Sequence, residues 1–462
     1  QYCTKKFKSF SFKSTSILIS MEIILVSIFV LGYLAITLEH TLKIDKLIPA
    51  LAMMAILWAI IALNHMPVFE VDTNLKQLVL THIDEILLHH LGKTAEIIIF
   101  LLGAMTIVEI IDYFNGFSTI KSFIKTKSKK ALLWIFAILA FILSAIIDNL
   151  TATIVLITIL QKVIADRNTR LWFAGLIIIS ANAGGAWSPI GDVTTTMLWI
   201  ANKVTTVKLI TYLFIPSVVC VVVPIFVASL LPAFKGEIEA NENEEEEVAH
   251  KYGSTMLYLG LAAIVFVPVF KTLTHLPPYV GMMFSLSVVS TFAEIFSATK
   301  INITSIDGDS DAASSHSPVH KSLSKIELPS ILFFLGILLA VAALESLGML
   351  FGFAETLNTA IPNTDIVIML LGIGSAVIDN VPLVAASIGM FSESIDNPLW
   401  HFIAFSAGTG GSMLIIGSAA GVVAMGMEKI DFFWYFKNIS WLAFLGFISG
   451  STTFMLLRGF IE

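Results

Sequence analysis

The sequence predicts an all-α polytopic membrane protein made of two inverted-topology repeats, each with five spans, a re-entrant hairpin and a broken helix. Three observations carry this expectation. Of 462 residues, 56% are hydrophobic and only 13% charged, which excludes an ordinary soluble domain. The apolar residues recur in runs of about 17 to 25, the length a helix needs to cross a bilayer whose interior cannot satisfy backbone polar groups. One motif is also written twice inside such runs, as Ser144-Ala145-Ile146-Ile147-Asp148-Asn149-Leu150-Thr151 and Ser375-Ala376-Val377-Ile378-Asp379-Asn380-Val381-Pro382. A carboxylate and an amide are costly at membrane depth and persist mainly where they face a cavity, a partner or a transported ion. Their duplication predicts a symmetric transporter with a central ion site.

Residues 1–20 are rich in Lys, Ser and Phe and form an extension with no assigned role, a candidate targeting remnant. The first repeat covers 21–234. Its first spans are expected at 21–38, 47–64 and 95–114. Between the last two, Leu75 to Leu91 places Leu75, Val79, Ile83, Ile86 and Leu87 on one helical face, which predicts a helix lying in the interface. Residues 131–164 are apolar except around Asp148 and Asn149. Basic flanks on both sides, Lys121 to Lys130 and Asp166 to Arg170, predict a hairpin entering and leaving on the cytoplasmic side. The next segment, 171–201, is interrupted by Ala183-Gly184-Gly185-Ala186-Trp187-Ser188-Pro189-Ile190-Gly191-Asp192. Such unwound backbone is tolerated in a membrane only where protein or a water-filled cavity lines it. A span at 207–230 completes the repeat.

Residues 235–253 form an acidic cytoplasmic linker; seven glutamates between Glu237 and Glu247 account for most of the net charge of −7, which therefore describes a loop and not a nucleic-acid surface. The second repeat, 254–462, has spans at 254–270, 278–297 and 328–353, with a polar loop from Ser305 to His320. A hairpin follows at 363–394 with Asp379 and Asn380 at its tip. Its flanks hold no Lys or Arg, so it enters from outside. A broken helix at 399–427 runs through Ser406-Ala407-Gly408-Thr409-Gly410-Gly411-Ser412, in step with Ser180-Ala181-Asn182-Ala183-Gly184-Gly185, and a last span lies at 437–457. Of 27 Lys and Arg, 17 fall in segments expected inside, 6 outside and 4 in residues 1–20. This bias supports the inverted arrangement. Cys3 and Cys220 cannot build a disulfide framework.

The paired motifs and the two glycine-rich stretches resemble the NhaD-type sodium/proton antiporters of the ion transporter superfamily, over roughly residues 21–457. The resemblance implies electrogenic exchange of Na⁺, often Li⁺, for H⁺ by a homodimer in a lipid bilayer, with no cofactor beyond the transported ions and no nucleic-acid partner. By motif it carries functional roles onto Asp148, Asn149, Asn182, Asp192, Thr194, Thr195, Ser375, Asp379, Asn380 and Ser412. Ser418 answers Asp192 in the second half, so the halves contribute unequally.

Sodium is a hard cation that takes oxygen ligands. Asp148 and Asp379, aided by the amides of Asn149 and Asn380, are expected to hold Na⁺ and protons in turn. Burial and a like-charged neighbour favour the protonated carboxyl, letting the two ions compete near neutral pH. Glu109 and Glu345 are weaker candidates for a proton path, while Glu96 and Asp112 sit near span ends and His82, His89 and His90 at headgroup level. An arsenite or other small-substrate permease is the nearest alternative, and an intramembrane aspartyl protease a more distant one, since neither aspartate sits in a Gly-x-Gly-Asp stretch. The default location is a bacterial inner membrane, with an organelle envelope as the alternative.

Overall fold

The computed structural model describes residues 21–36, 43–72, 77–121, 126–238, 251–298, 317–326, 328–361, 363–377 and 380–461. The first 20 residues, most of the acidic linker, most of the polar loop before His320, and Asp379 with Ile378 lie outside them. In chain order the elements are α1 (Met21–Ile36), α2 (Leu47–Leu63), β1 (Val68–Asp72), β2 (Gln77–Thr81), α3 (Ile83–Tyr113), α4 (Ser118–Lys121), α5 (Lys129–Ile147), α6 (Asn149–Val163), α7 (Arg167–Gly185), α8 (Val193–Ile200) and α9 (Thr206–Ser229). They continue as α10 (Gly253–Thr274), α11 (Pro278–Ala298), α12 (Pro318–Lys325), α13 (Leu328–Ser346), α14 (Met349–Ala360), α15 (Thr364–Gly374), α16 (Asn380–Met390), α17 (Pro398–Gly410), α18 (Ala419–Glu428), α19 (Phe432–Asn438) and α20 (Ser440–Ile461). Among the described residues six helices are long and apolar enough to cross a membrane: α3, α5, α9, α10, α11 and α20. The protein is an all-α polytopic membrane protein.

Two compact units emerge. The first comprises residues up to 95, with 328–356 and 389–392. In it α13 packs on α2: Gly336 meets the backbone of Ala50 and Leu51, and the Trp58 indole N–H donates to the Leu339 carbonyl at 2.8 Å. The interfacial helix expected over Leu75–Leu91 is not formed. Gln77–Thr81 pairs as a strand with Val68–Asp72, and one 31-residue helix starts only at Ile83. Val79 and Thr81 suit the pleated geometry, and their apolar spacing satisfied both periods. The single span expected over 328–353 is likewise divided, at Gly348, whose φ of 71° a side chain would resist.

The second unit, residues 96–327, 357–388 and 393–462, holds the duplicated motifs. Here α9 packs on α20. Pro224 lacks the N–H that would bond the Cys220 carbonyl one turn earlier, and Gly446 lets α20 approach that same oxygen. A small residue at the contact and a freed carbonyl are how membrane helices pack without a hydrophobic drive.

The same contacts occur in both halves of this unit. The Ser144 hydroxyl donates to the Ala181 carbonyl at 2.5 Å, and Ser375 donates to Ala407 at 2.8 Å. A Cβ on Gly184 would strike the Phe141 carbonyl, and one on Gly410 would strike that of Gly372. Each hairpin arm thus lies directly on the helix that follows it, with no room for a side chain at the crossing. That helix then breaks, at 186–192 and at 411–418, leaving backbone groups and short polar side chains at the interruption.

Candidate functional site

Asp148 joins α5 to α6 at φ 101° and ψ 160°, a region sparsely populated by residues with a Cβ. Its carboxylate caps α6, accepting from the Thr151 N–H at 2.7 Å and the Thr151 hydroxyl at 2.9 Å. Asp192 does the same for α8, where Oδ1 accepts from the Thr194 N–H at 2.8 Å and hydroxyl at 2.9 Å. A carboxylate at a helix N-terminus also meets the favourable end of the peptide dipoles.

The second oxygen of Asp192 is the meeting point of the site. Asn149 Nδ2 donates to Oδ2 at 2.5 Å, and Asn380 Nδ2 approaches it at 3.4 Å. The residue after each hairpin aspartate therefore reaches one carboxylate that is itself 2% exposed. Asn149 also donates to Asn182 Oδ1 at 3.1 Å, and Asn182 Nδ2 donates to the hydroxyls of Ser412 and Ser418, both at 2.9 Å. Ser418 caps α18 through the Gly421 N–H at 3.2 Å. The network runs from one half to the other without an apolar break.

Asp148 and Asp192, with Thr196 and apolar residues of α3, line a cavity of about 20 Å³. A water-sized guest needs about that much room. Among the described residues the polar groups gathered here are the carboxylates of Asp148 and Asp192, the amides of Asn149, Asn182 and Asn380, and the hydroxyls of Thr194, Ser412 and Ser418.

Of the residues singled out in the sequence, the structure joins Asn149, Asn182, Asp192, Thr194, Asn380 and Ser412 in one network, with Asp148 beside it. Thr195 donates instead to the Asp192 carbonyl at 2.9 Å, and Ser375 holds α15 against α17. Asp379 is outside the described residues. Three further residues contribute. Thr151, three residues after Asp148, was legible as the donor to that N-cap, and Ser418 was already read as the counterpart of Asp192. Tyr435, whose hydroxyl donates to the Ser412 carbonyl at 2.8 Å, had no such signal.

Residues 16–400 match the family model described as citrate transporter, CitMHS. The chain is 41% identical over 444 residues to sodium/proton antiporter 1 of Arabidopsis thaliana, spanning 95% of this chain and 73% of that one. It is 31% identical over 454 residues to the Na⁺/H⁺ antiporter NhaD of Alkalimonas amylolytica, spanning 94% and 90%. The solved YdaH transporter of Alcanivorax borkumensis shares its fold, with a TM-score of 0.56 at 11% identity over 90% of this chain and 98% of that one. Fold and family together define a multi-pass membrane transporter, not an enzyme. The chain belongs to the NhaD-type sodium/proton antiporters within the CitMHS family.

Proposed function

We propose that this protein exchanges Na⁺, and also Li⁺, for protons by alternating access, with Asp148 and Asp379 holding cation or proton in turn. The observation that carries the reading is the convergence of Asn149 and Asn380 on Asp192 beside the cavity Asp148 lines. In this structure both amides aim N–H groups at a carboxylate. Turned over, each offers a carbonyl oxygen, so the same side chains serve a proton-holding and a cation-holding state. Recurrence of the Ser144 and Ser375 contacts supports two inverted repeats, 21–234 and 254–462, and the assembly belonging to this reading is a homodimer. Two carboxylates at one cavity disfavour an anion such as citrate, because like charges repel strongly in a low-dielectric site.

The test is recovery of an acid-interior pH dye in everted vesicles on adding NaCl, LiCl, KCl or arsenite. Na⁺-driven recovery lost in Asp148→Asn is the expected result. Full activity in that variant would remove the hairpin aspartate from the mechanism, and silence to every cation would remove antiport itself.

A further inference from the structure

The ion cavity is walled in part by α3, α8 and α10, and just beyond that wall the three helices bring charged and aromatic groups to one place. On α3, Phe100 lines the cavity and Glu96 lies one turn before it. On α8, Thr196 lines it and Trp199 follows one turn later; on α10, Ile264 lines it and Lys271 follows two turns later. Residues three, four or seven apart share a helix face. The face that each helix turns to the cavity therefore continues past it, in the direction in which α8 runs away from Asp192.

There the Lys271 ammonium donates to the Trp199 carbonyl at 2.9 Å and stands 4.5 Å from the centre of the Trp199 ring. The Trp199 indole in turn meets Phe100 edge-on, with ring centres 6.4 Å apart, and both rings are buried. A lysine near the end of a span normally extends its ammonium to water. This one turns back onto a neighbouring helix and lies over the aromatic pair that closes the cavity. The oxygen it takes belongs to the last turn of α8, where carbonyls left without helical partners and the peptide dipoles both attract a cation. The Asn202 N–H, at 3.2 Å, uses one of that oxygen's two lone pairs. The ammonium thus stands where a passing cation would find an oxygen, and the charge of Glu96, on α3, acts on it.

We propose that Lys271 gates a passage leading from the ion cavity along α3, α8 and α10, its ammonium yielding the Trp199 carbonyl to a passing cation by turning to Glu96. The proposal rests on the cation-exchange reading for the identity of what passes. A positive charge held at the mouth repels a cation in surroundings of low dielectric constant, so the passage conducts only while the ammonium is turned aside. Glu96 is the partner that holds it there.

The test uses the full chain carrying Cys3→Ser, Cys220→Ser and a single Thr196→Cys on the cavity wall. Right-side-out vesicles present the face on which α8 ends, outside by the Lys and Arg distribution, to a membrane-impermeant cationic thiol reagent, and a mass-tag gel gives the labelling rate. Adding Lys271→Gln should raise that rate about tenfold, the equivalent of one hydrogen bond from a charged group. Lys271→Arg, which keeps the charge and the donors, should stay close to the parent. Glu96→Gln should slow labelling and lower the maximal rate of Na⁺-driven dye recovery with the half-maximal Na⁺ concentration unchanged, because it removes the resting place of the open gate and no cation ligand. Unchanged labelling with Lys271→Gln, in protein that melts as the parent does, overturns the gate. Should Lys271→Gln not fold, Glu96→Gln decides, and unchanged labelling with an unchanged maximal rate overturns the gate as well. Labelling needs no cation flux. A parent whose variants label as expected but which shows no Na⁺-driven recovery therefore removes the exchange reading and leaves the gate standing.

Discussion

The amide of Asn149 donates to Asp192 Oδ2 at 2.5 Å, and Asn380 reaches the same oxygen at 3.4 Å. The two hairpins thus sense the charge of one carboxylate, through bonds of unequal length. Asn149→Ala should raise the Na⁺ concentration for half-maximal dye recovery by tenfold or more, about 1.4 kcal/mol, and Asn380→Ala by less. Because both share a partner, the double variant should fall short of the product of the singles. Equal single effects would contradict the unequal geometry.

Asp148 combines a side-chain role with a backbone one. Its φ of 101° stores strain of about 1–3 kcal/mol. Asn carries the same strain but keeps an acceptor for Thr151; alanine keeps the strain and loses the cap; glycine relieves the strain but loses the cap. The order of thermal stability should therefore be Asp148→Asn above Asp148→Ala, with Asp148→Gly at least as stable as Asp148→Ala, while all three lose Na⁺-driven recovery. Circular dichroism melts of the purified variants give the first ranking and vesicle assays the second.

Much of this site could be read from the chain. The duplicated Asp-Asn pairs and the glycine stretches marked where helices stop, because charge, glycine and proline are conspicuous in apolar runs. What sequence could not show was the hub. Asp192 has no acidic counterpart in the second half, and its partners Asn149 and Asn380 lie 43 and 188 residues away, a convergence that only packing creates. The strand at Gln77–Thr81 was missed for another reason. Over five residues the apolar spacing fits a helix face as well as a pleat, and the pairing with β1 decides it.

Gly184 and Gly410 make matched predictions. A methyl at either position would collide with a backbone carbonyl of the preceding hairpin arm, which cannot rotate away as a side chain could. Gly184→Ala and Gly410→Ala should each cost about 1–3 kcal/mol and abolish recovery by displacing Asn149 or Asn380. Gly426→Ala, where nothing lies within 4 Å, should behave as the parent. Activity in Gly184→Ala would mean the hairpin tolerates separation from α7.

Asp166 gives a pH signature outside the spans. It caps α7, accepting from Thr169 Oγ1 at 2.6 Å, Thr169 N–H at 2.9 Å and Asn168 N–H at 3.3 Å. The Thr169 bonds hold its carboxyl below the usual carboxylate range. Since the folded pKa is the lower one, the cap's stabilisation is complete above the unfolded value and fades as pH falls through the folded one. The group is exposed, so Asp166→Ala should cost at most about 1 kcal/mol at neutral pH. Melts from pH 7 down to pH 3 should show that difference shrinking at the acid end.

The ends of the site helices are held crosswise. After the first hairpin, Arg170 Nε meets Glu428 Oε1 at 3.1 Å and Oε2 at 3.2 Å, and Arg167 Nη2 donates to the carbonyls of Glu428 and Lys429 at 3.2 and 3.0 Å. This grips the far end of α18, whose near end carries Ser418. After the second hairpin, Asp396 accepts from the Thr205 N–H at 2.7 Å and hydroxyl at 2.9 Å and donates its own N–H to the Lys203 carbonyl at 2.9 Å. This holds the chain just beyond α8, whose near end carries Asp192. Glu428 is 3% exposed, so Glu428→Ala leaves a half-buried guanidinium without its carboxylate and should cost about 3–5 kcal/mol. Replacing both partners, as Arg170→Met with Glu428→Met, removes the unpaired charge and should recover much of that loss in a chemical-denaturation or melting experiment. If the double variant regains stability yet still needs more Na⁺ for recovery than the parent, the pair positions the site as well as stabilising the fold; full recovery of both would reduce it to a fold contact.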